Sequence, residues 1–121
     1  MFTIRVTSGF SASHQLTLPD GSKEQLHNHV WEVIIDVSSE RLNDMGLVMD
    51  FALLKGMIEK ITGDFEGKKL EEIDYFQQNG SSAEIVAMHI YEELEPQLPD
   101  DVRLEAVSVV EAPGYSAKFS K

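Results

Sequence analysis

Cysteine is absent from the 121 residues. That excludes disulfides, thiolate metal sites and a cysteine nucleophile, and leaves His, Asp and Glu for any metal or acid–base chemistry. Basic residues are scarce, with 10 Lys and Arg against 21 Asp and Glu and a formal net charge of −11. Nonspecific nucleic-acid binding needs basic surface, so no nucleic-acid partner is expected. The same field disfavours a polyanionic small substrate unless local lysines offset it. No apolar run reaches the roughly eighteen residues of a membrane span, so no membrane partner is expected either. The opening stretch MFTIRVTSGF lacks the basic-then-apolar layout of a secretion signal and alternates like a strand. A cytoplasmic location is the expectation.

What is present reads as an ordinary globular chain, 42% hydrophobic and 26% charged. One domain spanning residues 1–121 is expected, large enough for a single core. Residues 2–14 alternate through Phe2, Ile4 and Val6, then Phe10, Ala12 and His14, with Gly9 a candidate bulge. LPDGS at 18–22 is a turn by composition. A β-branched run from about His27 to Val37 reads as a second strand. Asp50 is placed to cap a helix whose apolar stripe is Phe51, Leu54, Ile58 and Ile61. Residues 63–80 read as a long polar connection. Ser81-Ser-Ala-Glu84 has capping-box spacing and opens a second helix to about Leu94, with Pro96 and Pro99 beyond it. Two strands around Pro113-Gly114 close the chain. The order β-β-α-α-β-β predicts an α+β fold, an antiparallel sheet with both helices on one face.

Two of the four histidines flank one asparagine in LHNHVWEV. Side chains two apart on a strand point the same way, so His27 and His29 share a face with Trp31, Val33 and Ile35. His14 falls in register with Phe10 and Ala12, and a hairpin through the 18–26 turn brings it toward that pair. Three imidazoles with no fourth protein ligand form an open site in which zinc keeps a position for water or substrate. On spacing alone, ordinary hydrogen bonding near a strand end explains the same residues. His89, in the middle of the second helix, has no evident partner. A cupin or an amidohydrolase barrel would need more chain than this sequence supplies.

Taken together, the chain resembles the 6-pyruvoyltetrahydropterin and 6-carboxytetrahydropterin synthase superfamily over nearly its whole length. FSASHQL and LHNHVWEV resemble that family's metal-ligand motifs and imply zinc ligation by His14, His27 and His29. GLVMDFALLK and SSAEIVAMHIYEEL resemble the openings of its two helices. VSVVEAPGYSAKF resembles its closing strand pair, which implies that Glu111 anchors a pterin. The implied fold is the T-fold, four antiparallel strands with two helices on one face. The implied assembly is a homo-oligomer, a trimer or hexamer with sites between subunits.

Departures from the pattern bear on the reaction. Lys23 stands where most members carry a cysteine, and Glu66-Gly67 where they carry Asp-His. Glu24, three residues before His27, resembles the subgroup in which a glutamate replaces the cysteine. That subgroup cleaves the side chain of 7,8-dihydroneopterin triphosphate to 6-hydroxymethyl-7,8-dihydropterin, a folate precursor. The resemblance thus implies zinc as Lewis acid, Glu24 as general base and Glu111 as the pterin anchor. The alternatives are a 6-carboxy- or 6-pyruvoyltetrahydropterin synthase, serving a queuosine or biopterin-type route, and a noncatalytic pterin or metal binder.

Overall fold

A computed structural model describes residues 1–121. Four strands, β1 (Phe2–His14), β2 (His27–Ser39), β3 (Arg103–Ala112) and β4 (Tyr115–Phe119), form one antiparallel sheet in the order β1-β2-β3-β4. Between β2 and β3 lie helices α1 (Phe51–Thr62), α2 (Asp74–Asn79) and α3 (Ala83–Leu94). No helix is long and apolar enough to cross a membrane.

The long hairpin sets the geometry. β1 and β2 stay in uninterrupted register from Phe2↔Ser39 to His14↔His27. Directly opposed residues share a sheet face. Val6, Phe10, Ala12 and His14 are therefore buried on the same face as Trp31, Val33 and Ile35, beneath the helices. Phe10 stacks on Trp31 with ring centroids 5.6 Å apart, and the Phe65 ring meets Phe10 edge-on at 5.4 Å. Gly9 does not bulge. It pairs with Glu32, and a Cβ there would stand 3.1 Å from the Trp31 carbonyl oxygen. The bulges fall at Asp36/Val37 and Val110/Ala112 instead.

Asp50 caps α1, its Oδ1 accepting from the Ala52 and Leu53 amides at 2.7 and 3.4 Å. Leu54, Ile58 and Ile61 face the core as the helical spacing predicts, but Phe51, in the first turn, is exposed. The cap of α3 is Ser82 rather than Ser81. Ser82 Oγ accepts from the Ile85 amide at 3.2 Å, while the Ser81 hydroxyl is engaged elsewhere. Val86, Ala87, Ile90, Tyr91 and Leu94 bury the inner face of α3.

The segment 63–80 is not an open connection. Phe65, Leu70 and Phe76 are buried, a 3-10 turn covers Leu70–Glu72, and α2 follows. Its first part closes the outer edge of β1, where alternate amides point away from β2. The Ser11 amide donates to Glu66 Oε2 at 2.8 Å, Ser13 to the Lys68 carbonyl at 3.0 Å, and Gln15 to Glu71 Oε1 at 2.7 Å. Exposed strand edges template unwanted pairing. Here side chain, backbone and side chain occupy three successive edge donors.

Candidate metal centre

The uninterrupted hairpin register places His14 opposite His27 and Ala12 opposite His29. Three imidazoles therefore crowd one end of the sheet, with centroids 4.4 Å apart for His14–His27, 4.5 Å for His27–His29 and 5.5 Å for His14–His29. Trp31 closes the inner side, its ring 4.8 Å from His14 and 6.0 Å from His29. The indole is itself fixed, since Nε1–H donates to the Ala12 carbonyl at 3.1 Å. β3 brings a fourth group. Glu111 Oε1 lies 2.5 Å from His14 Nε2, 4.0 Å from His27 Nε2 and 3.9 Å from His29 Nε2. Ligand atoms of these four residues all fall within 4.8 Å of one another.

The hydrogen bonds around the rings decide which nitrogens are bare. His14 Nδ1 lies 2.9 Å from the Ser81 carbonyl, and His27 Nδ1 lies 3.0 Å from the Gln25 carbonyl. A carbonyl only accepts, so each Nδ1 carries the proton and each Nε2 presents a lone pair. Those two Nε2 atoms face each other at 2.6 Å, with the Glu111 carboxylate beside them. Acceptors packed so closely repel unless a cation lies among them. Ligands at the zinc–nitrogen distance around a tetrahedral ion stand roughly 3.3 Å apart, and the His14–His27 contact with the three Glu111 contacts, 2.5–4.0 Å, brackets that figure. The residues present fit a divalent cation. His29 is held below the usual imidazole range by burial first and by His27 second, a direction that favours its neutral form.

Glu24 is not in this group. It sits in the connection between β1 and β2, where its Oε1 accepts from the Leu16 amide at 3.1 Å and lies 3.8 Å from His27 Nδ1. It thus stands on the far side of the His27 ring from Nε2. Glu111 also borders a hollow of about 470 Å³ shared with Ala83, Gly114, Tyr115 and Lys118. Lys23 and Lys69 line a different hollow of about 520 Å³, beyond Gln15 and Ser81. Glu66 is spent on the Ser11 amide, and Gly67 at φ 73° has no side chain to offer. His89, for which the sequence showed no evident partner, packs among aromatic rings. It lies 4.0 Å from the Tyr75 ring and 5.2 Å from Phe76, too far along α3 to join the cluster.

Sequence reasoning missed Glu71 and Ser81, which lie behind His14. Glu71 Oε1 accepts from the Ser81 hydroxyl at 2.6 Å as well as from the Gln15 amide. Burial pushes this carboxyl up, but the bonds from Ser81 and Gln15 outweigh it, and the group is held below the usual range. No local spacing could have signalled these contacts, because they join three separate segments.

The sequence profile of the 6-pyruvoyl tetrahydropterin synthase family matches residues 3–121. The chain belongs to that family. Among its relatives, a protein of Pyrococcus furiosus named dihydroneopterin monophosphate aldolase is 28% identical over 112 residues, covering 93% of this chain and 91% of that one. A 6-carboxy-5,6,7,8-tetrahydropterin synthase of Synechocystis is 28% identical over 130 residues, covering 98% and 93%. The solved structure of 6-pyruvoyl tetrahydropterin synthase from Caenorhabditis elegans superposes with a TM-score of 0.86 at 21% identity, covering 99% and 95% of the two chains. The four strands with helices on one face are thus the T-fold that the family shares.

Proposed function

We propose that this protein is a zinc-dependent lyase of the glutamate type, cleaving the side chain of 7,8-dihydroneopterin triphosphate to 6-hydroxymethyl-7,8-dihydropterin. The observation that carries the reading is the convergence of three imidazoles, two of them with bare Nε2 atoms, and Glu111 beside a cysteine-free loop that holds Glu24. His14, His27 and His29 would hold the ion. Once bound, it would supply Lewis acidity, stabilising negative charge on a side-chain oxygen.

The chain's own groups do the rest. Glu111, standing between the imidazoles and the adjoining hollow, accepts two parallel N–H donors from the guanidine-like edge of the pterin. Its neighbour Lys118 places a cation at the same hollow. Glu24 takes the proton of the hydroxyl on the second side-chain carbon. The bond to the first side-chain carbon then breaks, its electron pair passing into the ring imine. Glu24 returns the proton to the carbon left on the ring, and the departing two-carbon aldehyde keeps the phosphates. Protons and electrons balance with no redox partner. For this, the Glu24 carboxylate, on a side chain 31% exposed in the hairpin connection, must leave the Leu16 amide and come round the His27 ring.

A monophosphate is the second substrate to consider, because the Pyrococcus relative is named for it and few lysines stand near the cluster. The uncovered part of the β1 edge, from Phe2 to Gly9, and the outer edge of β4 support assembly into rings of copies. Incubating the zinc-loaded protein with dihydroneopterin tri- and monophosphate, with products identified by mass, tests the proposal. Hydroxymethyldihydropterin supports it. Carboxytetrahydropterin with acetaldehyde would point to the carboxy-synthase reaction. Tight pterin binding without turnover would leave a binder and sink the lyase.

A further inference from the structure

We propose that Glu71 is a positioning residue for the metal centre, fixing the His14 ring by clamping the residues on both sides of it. The inference rests on the reading of His14 as a ligand, and it extends that reading to a residue in a different segment of the chain.

Three hydrogen bonds make the clamp. The His14 ring is 1% exposed, and its one contact on the Nδ1 side is the Ser81 carbonyl at 2.9 Å. Ser81 is the residue before the α3 cap, so its backbone would be free to turn about the helix entry. Glu71 prevents this, because Oε1 takes the Ser81 hydroxyl at 2.6 Å. The same oxygen takes the Gln15 amide at 2.7 Å, immediately after His14 on β1. One carboxylate oxygen thus ties the residue following the ligand to the residue whose carbonyl holds the ligand's proton. Charge-assisted bonds of this kind are roughly twice as strong as neutral ones.

Glu71 is costly to keep for stability alone. Its second oxygen, Oε2, is buried with no partner. Buried carboxylate oxygens without donors are rare and call for an explanation. An edge cap does not require one, since Glu66 caps the Ser11 amide, four residues before Gln15, while remaining exposed. What distinguishes Glu71 from Glu66 is the link through Ser81 to His14. Groups that orient a ligating histidine through its second nitrogen fix the tautomer, and losing them commonly lowers metal affinity about 10–100-fold.

The experiment uses the full chain and two readouts. Zinc affinity is measured by chelator competition, and the His14 tautomer by long-range 1H–15N correlation in the metal-free protein. Glu71→Ala should weaken zinc binding about 10–100-fold and turn His14 from a single Nδ1–H form into a mixture. Glu71→Gln keeps an acceptor oxygen and should restore the single tautomer and most of the affinity. Ser81→Ala should reproduce the Glu71→Ala loss, and the double variant should lose little more. Glu66→Ala, which breaks the neighbouring edge cap, should leave both readouts as in the wild type. Unchanged affinity and tautomer in Glu71→Ala would overturn the inference, as would equal losses in Glu66→Ala. If Glu71→Ala does not fold, Ser81→Ala and Glu71→Gln decide. A wild-type protein that binds no zinc would sink the metal reading itself, while the tautomer comparison still decides the role of Glu71.

Discussion

Adding zinc to chelator-stripped protein, at roughly a thousand times its dissociation constant, is expected to raise the melting temperature by about 16 °C. Two Nε2 lone pairs at 2.6 Å and a carboxylate at 2.5 Å mean that the folded chain gathers acceptors that the unfolded chain does not. An ion that binds only the folded form stabilises it by about 4.1 kcal/mol when present at roughly a thousand times its dissociation constant. Unfolding entropy near 2.1 cal/mol/K per residue, scaled to 121 residues, converts each kcal/mol into about 4 °C. Removing one imidazole tests the origin of the shift. If His14→Ala weakens binding about 100-fold, roughly 2.7 kcal/mol of the stabilisation disappears at the same zinc concentration, and the shift falls to about a third. His14→Ala also destabilises the metal-free fold, so the quantity read is the difference with and without zinc in each protein. His89→Gln, outside the cluster, should show the full shift. The reasoning fails if the wild-type shift stays below about 2 °C, or if His14→Ala shows the wild-type shift.

Other variants probe the remaining roles. Glu24→Gln should retain zinc and lose about 10²–10⁴-fold in turnover, and full activity would remove Glu24 from the mechanism. Glu111→Ala should weaken pterin binding by tenfold or more in calorimetry, the loss of about 1.5–3 kcal/mol per bond to a charged group. Unchanged pterin affinity with weakened zinc binding would make Glu111 a ligand instead of an anchor. His89 is held below the usual imidazole range by burial among Tyr75, Phe65 and Phe76, partly offset by Glu93, Glu92 and Asp64. The unfolded chain therefore binds a proton that the folded one resists, and stability falls as pH drops below the unfolded value near 6.5. His89→Phe should flatten that decline in denaturant titrations between about pH 7 and 5, and an unchanged slope would refute the assignment. Trp31→Phe leaves the Ala12 carbonyl without its indole donor and should cost about 2 kcal/mol by denaturant unfolding.

The site was legible in the sequence to different depths. Strand alternation through residues 2–14 and 27–37 sets which side chains share a face, because the side-chain period of a strand is two. The pairing of His27 with His29, and the arrival of His14 from the facing strand, follow from that periodicity and one hairpin. Asp50 was equally plain, since a cap acts within three residues of itself. Phe51 misled because helical spacing marks a stripe without saying how far along it the core reaches. Ser81 misled because its capping-box spacing is genuine, but Glu71 outcompetes the helix for its hydroxyl. Residues 63–80 read as a long polar connection because their order comes from burying Phe65, Leu70 and Phe76 against distant partners.

By itself the sequence determined the strands, the two main helices and the shared face of three histidines, because each depends on contacts a few residues apart or on one hairpin register. Only the tertiary structure decided that Glu111 joins the imidazoles, that Glu24 stands behind His27, and that Glu71 reaches His14 through Ser81. The Glu111 and Glu71 contacts join residues 10 to 97 apart, and they are fixed by how the core packs, which no local pattern records.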